Sequence, residues 1–236
     1  MTDSSPEYKP FWDAYSDTWE SSVRKPGQKE LGDEWGTVQL VQTIIDQYVK
    51  PHLPKGAVAL EIGCGGGKYS ERLAALCKVL ICTDVSRNML ARTRNRLSTA
   101  RNVLFEELSG FDLKPLDDDL IDYVFSFDCF VHIDIEDAYC YLQEIRRVLK
   151  PDGVGLLHFA NFNSEEGWQK FVGEASLNRG NRKAVDRFRF LTWEIVDRLF
   201  RSLSLEIVDS LREPWRDILV VFTNRKRARD RTAVAR

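Results

Sequence analysis

Two carboxylates and a group of bare backbone positions carry the chemistry that can be read from this chain. Glu61 lies in the apolar run Val58-Ala59-Leu60-Glu61-Ile62, which leads directly into Gly63-Cys64-Gly65-Gly66-Gly67. Asp84 ends a second apolar run, Val79-Leu80-Ile81-Cys82-Thr83. Glycines at 63, 65 and 67 let the backbone pass close to a ligand at angles that a Cβ forbids. An acid about twenty residues beyond the first glycine, at the carboxyl end of the next strand, is placed to accept from both hydroxyls of a ribose. The pair reads as an adenosine site.

The glycine spacing narrows the choice of ligand. Dinucleotide turns use GxGxxG, which lays a pyrophosphate on a helix N-terminus, whereas this turn is GxGxG with Glu61 two residues ahead of it. A carboxylate so close repels a diphosphate and suits a ligand that carries an ammonium and a sulfonium. S-adenosylmethionine carries both.

Such a site needs a parallel sheet to hold it. Apolar runs predict strands near 57–62, 79–83, 102–107, 121–127 and 154–160, alternating with helices near 68–77, 86–98 and 136–149. That alternation implies right-handed crossovers in a parallel sheet. Val38, Leu40, Val41, Ile44, Ile45, Tyr48 and Val49 recur at helical spacing and stop before Pro51 and Pro54, which predicts an amphipathic helix. A helix over 192–203 is then followed by 205–210 and 218–223 with no helix between them, which predicts a terminal hairpin.

With these elements in order, the chain resembles the class I S-adenosylmethionine-dependent methyltransferases over residues 35 to 224. ALEIGCGGG is similar to the family's first motif and TDVSRNML to its second. SFDCFVHI and RVLKPDG resemble later ones, with Asp152 where glycine is commoner. The resemblance implies a doubly wound, mostly parallel seven-stranded α/β sheet with an antiparallel last strand, the Rossmann-like methyltransferase fold. It also implies a cofactor site formed by Glu61, Gly63, Cys64, Gly65, Gly67, Asp84 on ribose, Val85, Met89 against adenine, Ser109, Gly110 and Phe127. The family often places an acid after the third strand to accept from the adenine amino group. Ser109 stands there in this chain, with Glu106, Glu107, Asp112 or the Ser109–Gly110 backbone as alternatives.

Composition limits the partners. The 236 residues, 43% of them hydrophobic, are enough for one core. A formal charge of −2 from 34 basic and 36 acidic residues argues against a surface built for nucleic acid. Five cysteines, odd in number and without paired ligand spacing, read as reduced thiols and suggest no metal. With no secretory leader or membrane-length apolar run in this sequence, a cytoplasmic protein is the default expectation.

Three regions follow. Residues 1–36 form an aromatic arm, read evenly as a cover for the core edge or as a lid over the site. Residues 37–224 form the methyltransferase domain, with a substrate-specificity insert at 161–190 that carries Trp168, Arg179, Arg182, Arg187 and Arg189. Residues 225–236 form a basic tail that reads as a solvated end more readily than as a nucleic-acid arm.

A hydroxyl acceptor must lose a proton, and the candidate bases are Asp128, His132, Asp134 and His158, with His132, His158 and Asp128 taken as the catalytic set. Either histidine reads equally as a satisfied structural residue. The sequence thus predicts methyl transfer from S-adenosylmethionine to a small-molecule oxygen or nitrogen of sugar or secondary-metabolite type. Supporting this acceptor class are the near-neutral charge and SFDC standing where an NPPY-like motif would mark many enzymes that methylate bases or protein amides. An RNA or protein acceptor, a silent S-adenosylmethionine-binding module and a nicotinamide oxidoreductase are the rival readings.

Overall fold

The computed structural model describes residues 8–19, 28, 30–177, 180, 185–213 and 215–225. The basic tail beyond Arg225, together with Arg179 and Arg182 of the insert, lies outside the described residues.

Five strands run parallel: β1 (Val58–Ile62), β2 (Val79–Asp84), β3 (Val103–Glu107), β4 (Ile121–Phe125) and β5 (Leu149–Asn161). A two-residue β6 (Phe190–Leu191) adds to the end of β5. The chain closes with β7 (Leu205–Leu211) and β8 (Asp217–Asn224), and β8 runs antiparallel between β5 and β7. The order β3-β2-β1-β4-β5-β8-β7 reverses direction between β1 and β4, where open α/β sheets bind their ligands. The expected seven-stranded sheet is present. β6 is an addition that periodicity could not reveal, because two residues have no period.

Alternate residues of the central strands feed two cores, as a sheet covered on both faces requires. Leu60, Ile62 and Val124 pack with α5 (Ile135–Val148) and α7 (Trp193–Ser202). Ala59, Leu80 and Tyr123 pack with α2 (Val38–Ile44), α3 (Ser70–Ala74) and α4 (Arg87–Arg96). The helix expected over 68–77 is only Ser70–Ala74 in the structure, and the one expected to run to Val49 ends in a π-turn at Ile45–Val49. Asp152 sits at φ 60°, and Arg225 Nη1 donates to its carboxylate at 3.0 Å. The departure from glycine there is tolerated because aspartate is among the few residues that adopt left-handed backbone at small cost.

The arm contains an unexpected helix, α1 (Tyr8–Thr18), and the insert contains α6 (Glu165–Leu177). Hydrogen bonds to distant residues hold α1 on α4. Ser86 Oγ donates to Asp13 at 2.5 Å, Arg92 Nε to Ser16 Oγ at 2.8 Å, and Asn88 Nδ2 to Asp17 at 2.9 Å.

Candidate functional site

Beyond the carboxyl ends of β1 and β4 lies a cavity of about 620 Å³, roofed by α1 and the segment around Trp35. Its floor is the glycine turn, where each glycine is required for a different reason. Gly63 has φ 73°, and a Cβ there would stand 2.5 Å from Cys129 Sγ. At Gly66 a Cβ would fall 1.8 Å from the Leu31 carbonyl oxygen, so the arm can rest on the turn only because that residue is bare. Gly65, at φ 53°, would direct a Cβ into open space with nothing within 4 Å. That vacant cradle on the cavity is where a ligand can meet the backbone.

Both predicted acids face the cavity from its buried side. Asp84 accepts from the Gly65 N–H and the Ser86 N–H, each at 2.9 Å, and burial pushes its carboxyl up to about 6. Glu61 accepts from Ser70 Oγ at 2.5 Å, with Cys82 Sγ at 3.8 Å, and burial pushes it up to about 8. A buried carboxylic acid with that affinity for its proton is a latent anion, which a ligand's ammonium would stabilise.

The raised acids set a pH dependence. Folded Glu61 keeps a proton that the unfolded chain releases between about 4.5 and 8, so its contribution to stability is complete below 4.5 and is lost as pH rises through 8. The melting temperature of ligand-free protein is expected to fall across that window, and Glu61→Gln is expected to flatten the fall. An unchanged slope in that variant would show that Glu61 does not titrate there.

The remaining predicted residues divide. Cys64, Val85, Met89, Gly110 and Phe127 line the cavity, and Leu108, absent from the sequence reading, lines it beside Gly110. Gly67 supports the turn from behind at φ 81°, against Thr93. Ser109 is corrected as a side chain, since its Oγ turns to Asp112 at 2.9 Å and not into the cavity. Glu107 is held by Lys9 and Arg87, Asp112 is held by Lys114, and neither these two nor Glu106 lines the cavity. Of the alternatives for the adenine edge, Gly110 is on the wall.

Among the candidate bases, Asp128 and His132 line the cavity. Trp12 and Phe188 pack edge-on against His132 at 5.3 and 5.2 Å, and burial lowers its imidazole to about 4. Asp134 is corrected to a structural role, pairing with Arg189 at 2.6 Å outside the cavity. His158 is corrected as a direct base, because its fully buried ring stands behind the wall, stacked on Phe127 at 4.1 Å and Trp215 at 5.1 Å. The insert supplies Glu166, Lys170 and Phe188 to the far wall, whereas Trp168 packs on Phe162 and Phe171 away from it. The aromatic wall residues Phe11, Trp12, Tyr15 and Trp35 were legible only as a cluster of aromatic residues.

This sheet order, with a bare turn after β1 and an acid after β2, is similar to that of the class I S-adenosylmethionine-dependent methyltransferases, and S-adenosylmethionine is the cofactor its cradle fits. A family model described as "Methyltransferase domain" matches residues 60–157. The chain is 27% identical over 167 residues to a ubiquinone biosynthesis O-methyltransferase of Cereibacter sphaeroides (strain ATCC 17025 / ATH 2.4.3), covering 70% of this chain. That alignment spans 66% of the relative, just under two thirds of its length. A protein of the same name from Xanthomonas axonopodis pv. citri is 27% identical over 194 residues, 80% of this chain and 77% of that one. The fold is similar to that of the magnesium protoporphyrin IX methyltransferase of Synechocystis PCC 6803, solved with bound S-adenosylhomocysteine. The TM-score is 0.61 at 17% identity, covering 78% of this chain and 82% of that one. Among the described residues no helix is long and apolar enough to cross a membrane.

Proposed function

We propose that this protein methylates an oxygen or nitrogen of a small molecule of sugar or secondary-metabolite type. The observation that carries the reading is that one cavity is lined both by the Gly65 cradle with its two acids and by polar and aromatic residues of the arm and insert. About 300–1,000 Å³ is the usual range for small-ligand sites, and 620 Å³ suits a nucleoside beside a modest acceptor. The relatives' name, ubiquinone biosynthesis O-methyltransferase, supports a small-molecule oxygen as the acceptor.

In this reading Asp84 holds the ribose, Glu61 takes the ammonium, and Val85, Met89, Leu108 and Gly110 enclose the base. The cofactor supplies a methyl group activated by sulfonium. Phe127, Phe188 and Trp215 exclude water from the acceptor side, and the arm and insert act as the covers that set specificity. Holding the partners in line supplies about 7–11 kcal/mol of the barrier, more than a base contributes.

Incubation with methyl-labelled S-adenosylmethionine and a metabolite extract is expected to give a labelled small-molecule product at a rate nearly independent of salt. A steep fall with salt would point instead to a polyanionic acceptor. Tight binding of S-adenosylhomocysteine with no labelled product from any extract would favour a silent binding module.

A further inference from the structure

We propose that Asp128 is the catalytic base that receives the acceptor's proton, and that His158 is a positioning residue that fixes Asp128 in place from behind the cavity wall. The proposal rests on the reading of the site as a methyl-transfer centre.

Asp128 stands just beyond the end of β4 with φ 58°, a left-handed conformation that aspartate, unlike most residues with a side chain, adopts at small cost. Its side chain is 29% exposed and lines the cavity, so a ligand can reach it. Among the described residues no donor hydrogen-bonds its carboxylate. Burial pushes the carboxyl up, which strengthens it as a base, against the opposing pull of His158, whose Nδ1 lies 3.5 Å from Oδ1, and of Arg216 and Lys68 at greater distance. Burial lowers the imidazole of His132, the other candidate on the wall, to about 4, which weakens it as a base relative to a free histidine.

What holds this backbone is a fully buried histidine. The Asp128 N–H donates to His158 Nδ1 at 3.1 Å, which assigns the ring's proton to Nε2, and Nε2 lies 3.0 Å from Asp217 Oδ2. Asp217 is itself gripped by Arg216 at 2.5 Å, and although burial opposes it, His158 and Arg216 keep its carboxyl low. Phe127 and Trp215 stack on the imidazole and fix its plane. The chain Arg216–Asp217–His158 therefore ends on the one amide that orients Asp128.

In the transfer step the acceptor O–H bond breaks and its electron pair stays on oxygen. The O–C bond forms as the C–S pair returns to sulfur, and the proton goes to a carboxylate oxygen of Asp128. No electrons are gained or lost overall.

Two measurements test this. Long-range ¹H–¹⁵N spectra of protein with its three histidines ¹⁵N-labelled are expected to show His158 as the Nε2–H tautomer at neutral pH. A proton on Nδ1 would overturn the positioning role without reference to any acceptor. The second measurement follows methyl transfer from labelled cofactor to catechol, 3,4-dihydroxybenzoate and a metabolite extract. Asp128→Asn, which suits left-handed backbone, is expected to lower kcat by about 10²–10⁴-fold and remove the acid limb of the pH–rate profile. His158→Phe, which keeps the stacking but accepts no hydrogen bond, is expected to lose about 10²-fold in kcat. His158→Asn, whose Oδ1 can accept the Asp128 N–H, is expected to recover most of that loss, with KM for the cofactor unchanged. Rescue by phenylalanine and not asparagine, or an acid limb that survives Asp128→Asn and disappears in His132→Asn, would overturn the inference. A wild-type protein that transfers to no probe fails the functional reading and this inference with it, whereas transfer that Asp128→Asn leaves intact fails this inference alone.

Discussion

Asp84→Ala is expected to weaken S-adenosylhomocysteine binding by about 10²–10⁴-fold while the chain stays folded. Two charge-assisted hydrogen bonds to a ribose, at about 1.5–3 kcal/mol each, disappear together and account for that range. The same substitution also frees the Gly65 and Ser86 amides that the carboxylate now receives. The turn therefore loses an internal tie as well as its ligand contact. Titration calorimetry at neutral pH measures the affinity, and circular dichroism checks the fold. A folded variant with undiminished affinity would remove Asp84 from the ribose. Asp84→Asn should fall between, because its amide oxygen still accepts from one backbone N–H.

The second large effect separates two adjacent glycines. Gly65→Ala is expected to cost the ligand-free protein only about 1–2 kcal/mol for the left-handed backbone, since nothing lies within 4 Å of the added methyl. Cofactor binding should nevertheless be lost, because that methyl projects into the cradle. Gly66→Ala should do the reverse in part. Its Cβ collides with the Leu31 carbonyl, so the arm must lift, and thermal stability should drop while some affinity for the nucleoside survives. Melting temperature and calorimetric affinity measured on both variants give the pattern. Equal behaviour of the two would mean that the arm does not rest on the turn in solution.

How far the sequence could be read follows from where each signal is written. The Gly63–Gly67 turn and Asp84 were legible because backbone geometry and one carboxylate act locally, with a spacing fixed by a strand and a short helix. Gly66 was missed as a requirement because its reason lies at Leu31, far away in the chain. The helix α1 carries Tyr8, Phe11, Trp12 and Tyr15 at helical spacing, but that face turns to the cavity and not to the core, and distant partners hold the helix in place, Asp13 on Ser86 and Ser16 on Arg92. His158 illustrates a different limit. A histidine in a strand near a site looks the same in sequence whether its ring faces the ligand or supports the residue that does. Only the stacking of Phe127 and Trp215 on the imidazole decides between them, and both contacts cross from one strand or loop to another. Ser109 failed as a side-chain contact for a local reason, since its hydroxyl is taken up by Asp112 three residues on.

Trp12 packs edge-on against His132 and at right angles to Trp35, so a single indole joins the end of β4 to the arm in the wall of the cavity. Whatever free energy one ligand spends or gains in settling that ring is felt by the other. In the proposed reading the affinities of nucleoside and acceptor are expected to be linked, and reciprocity makes the factor identical in either order of addition.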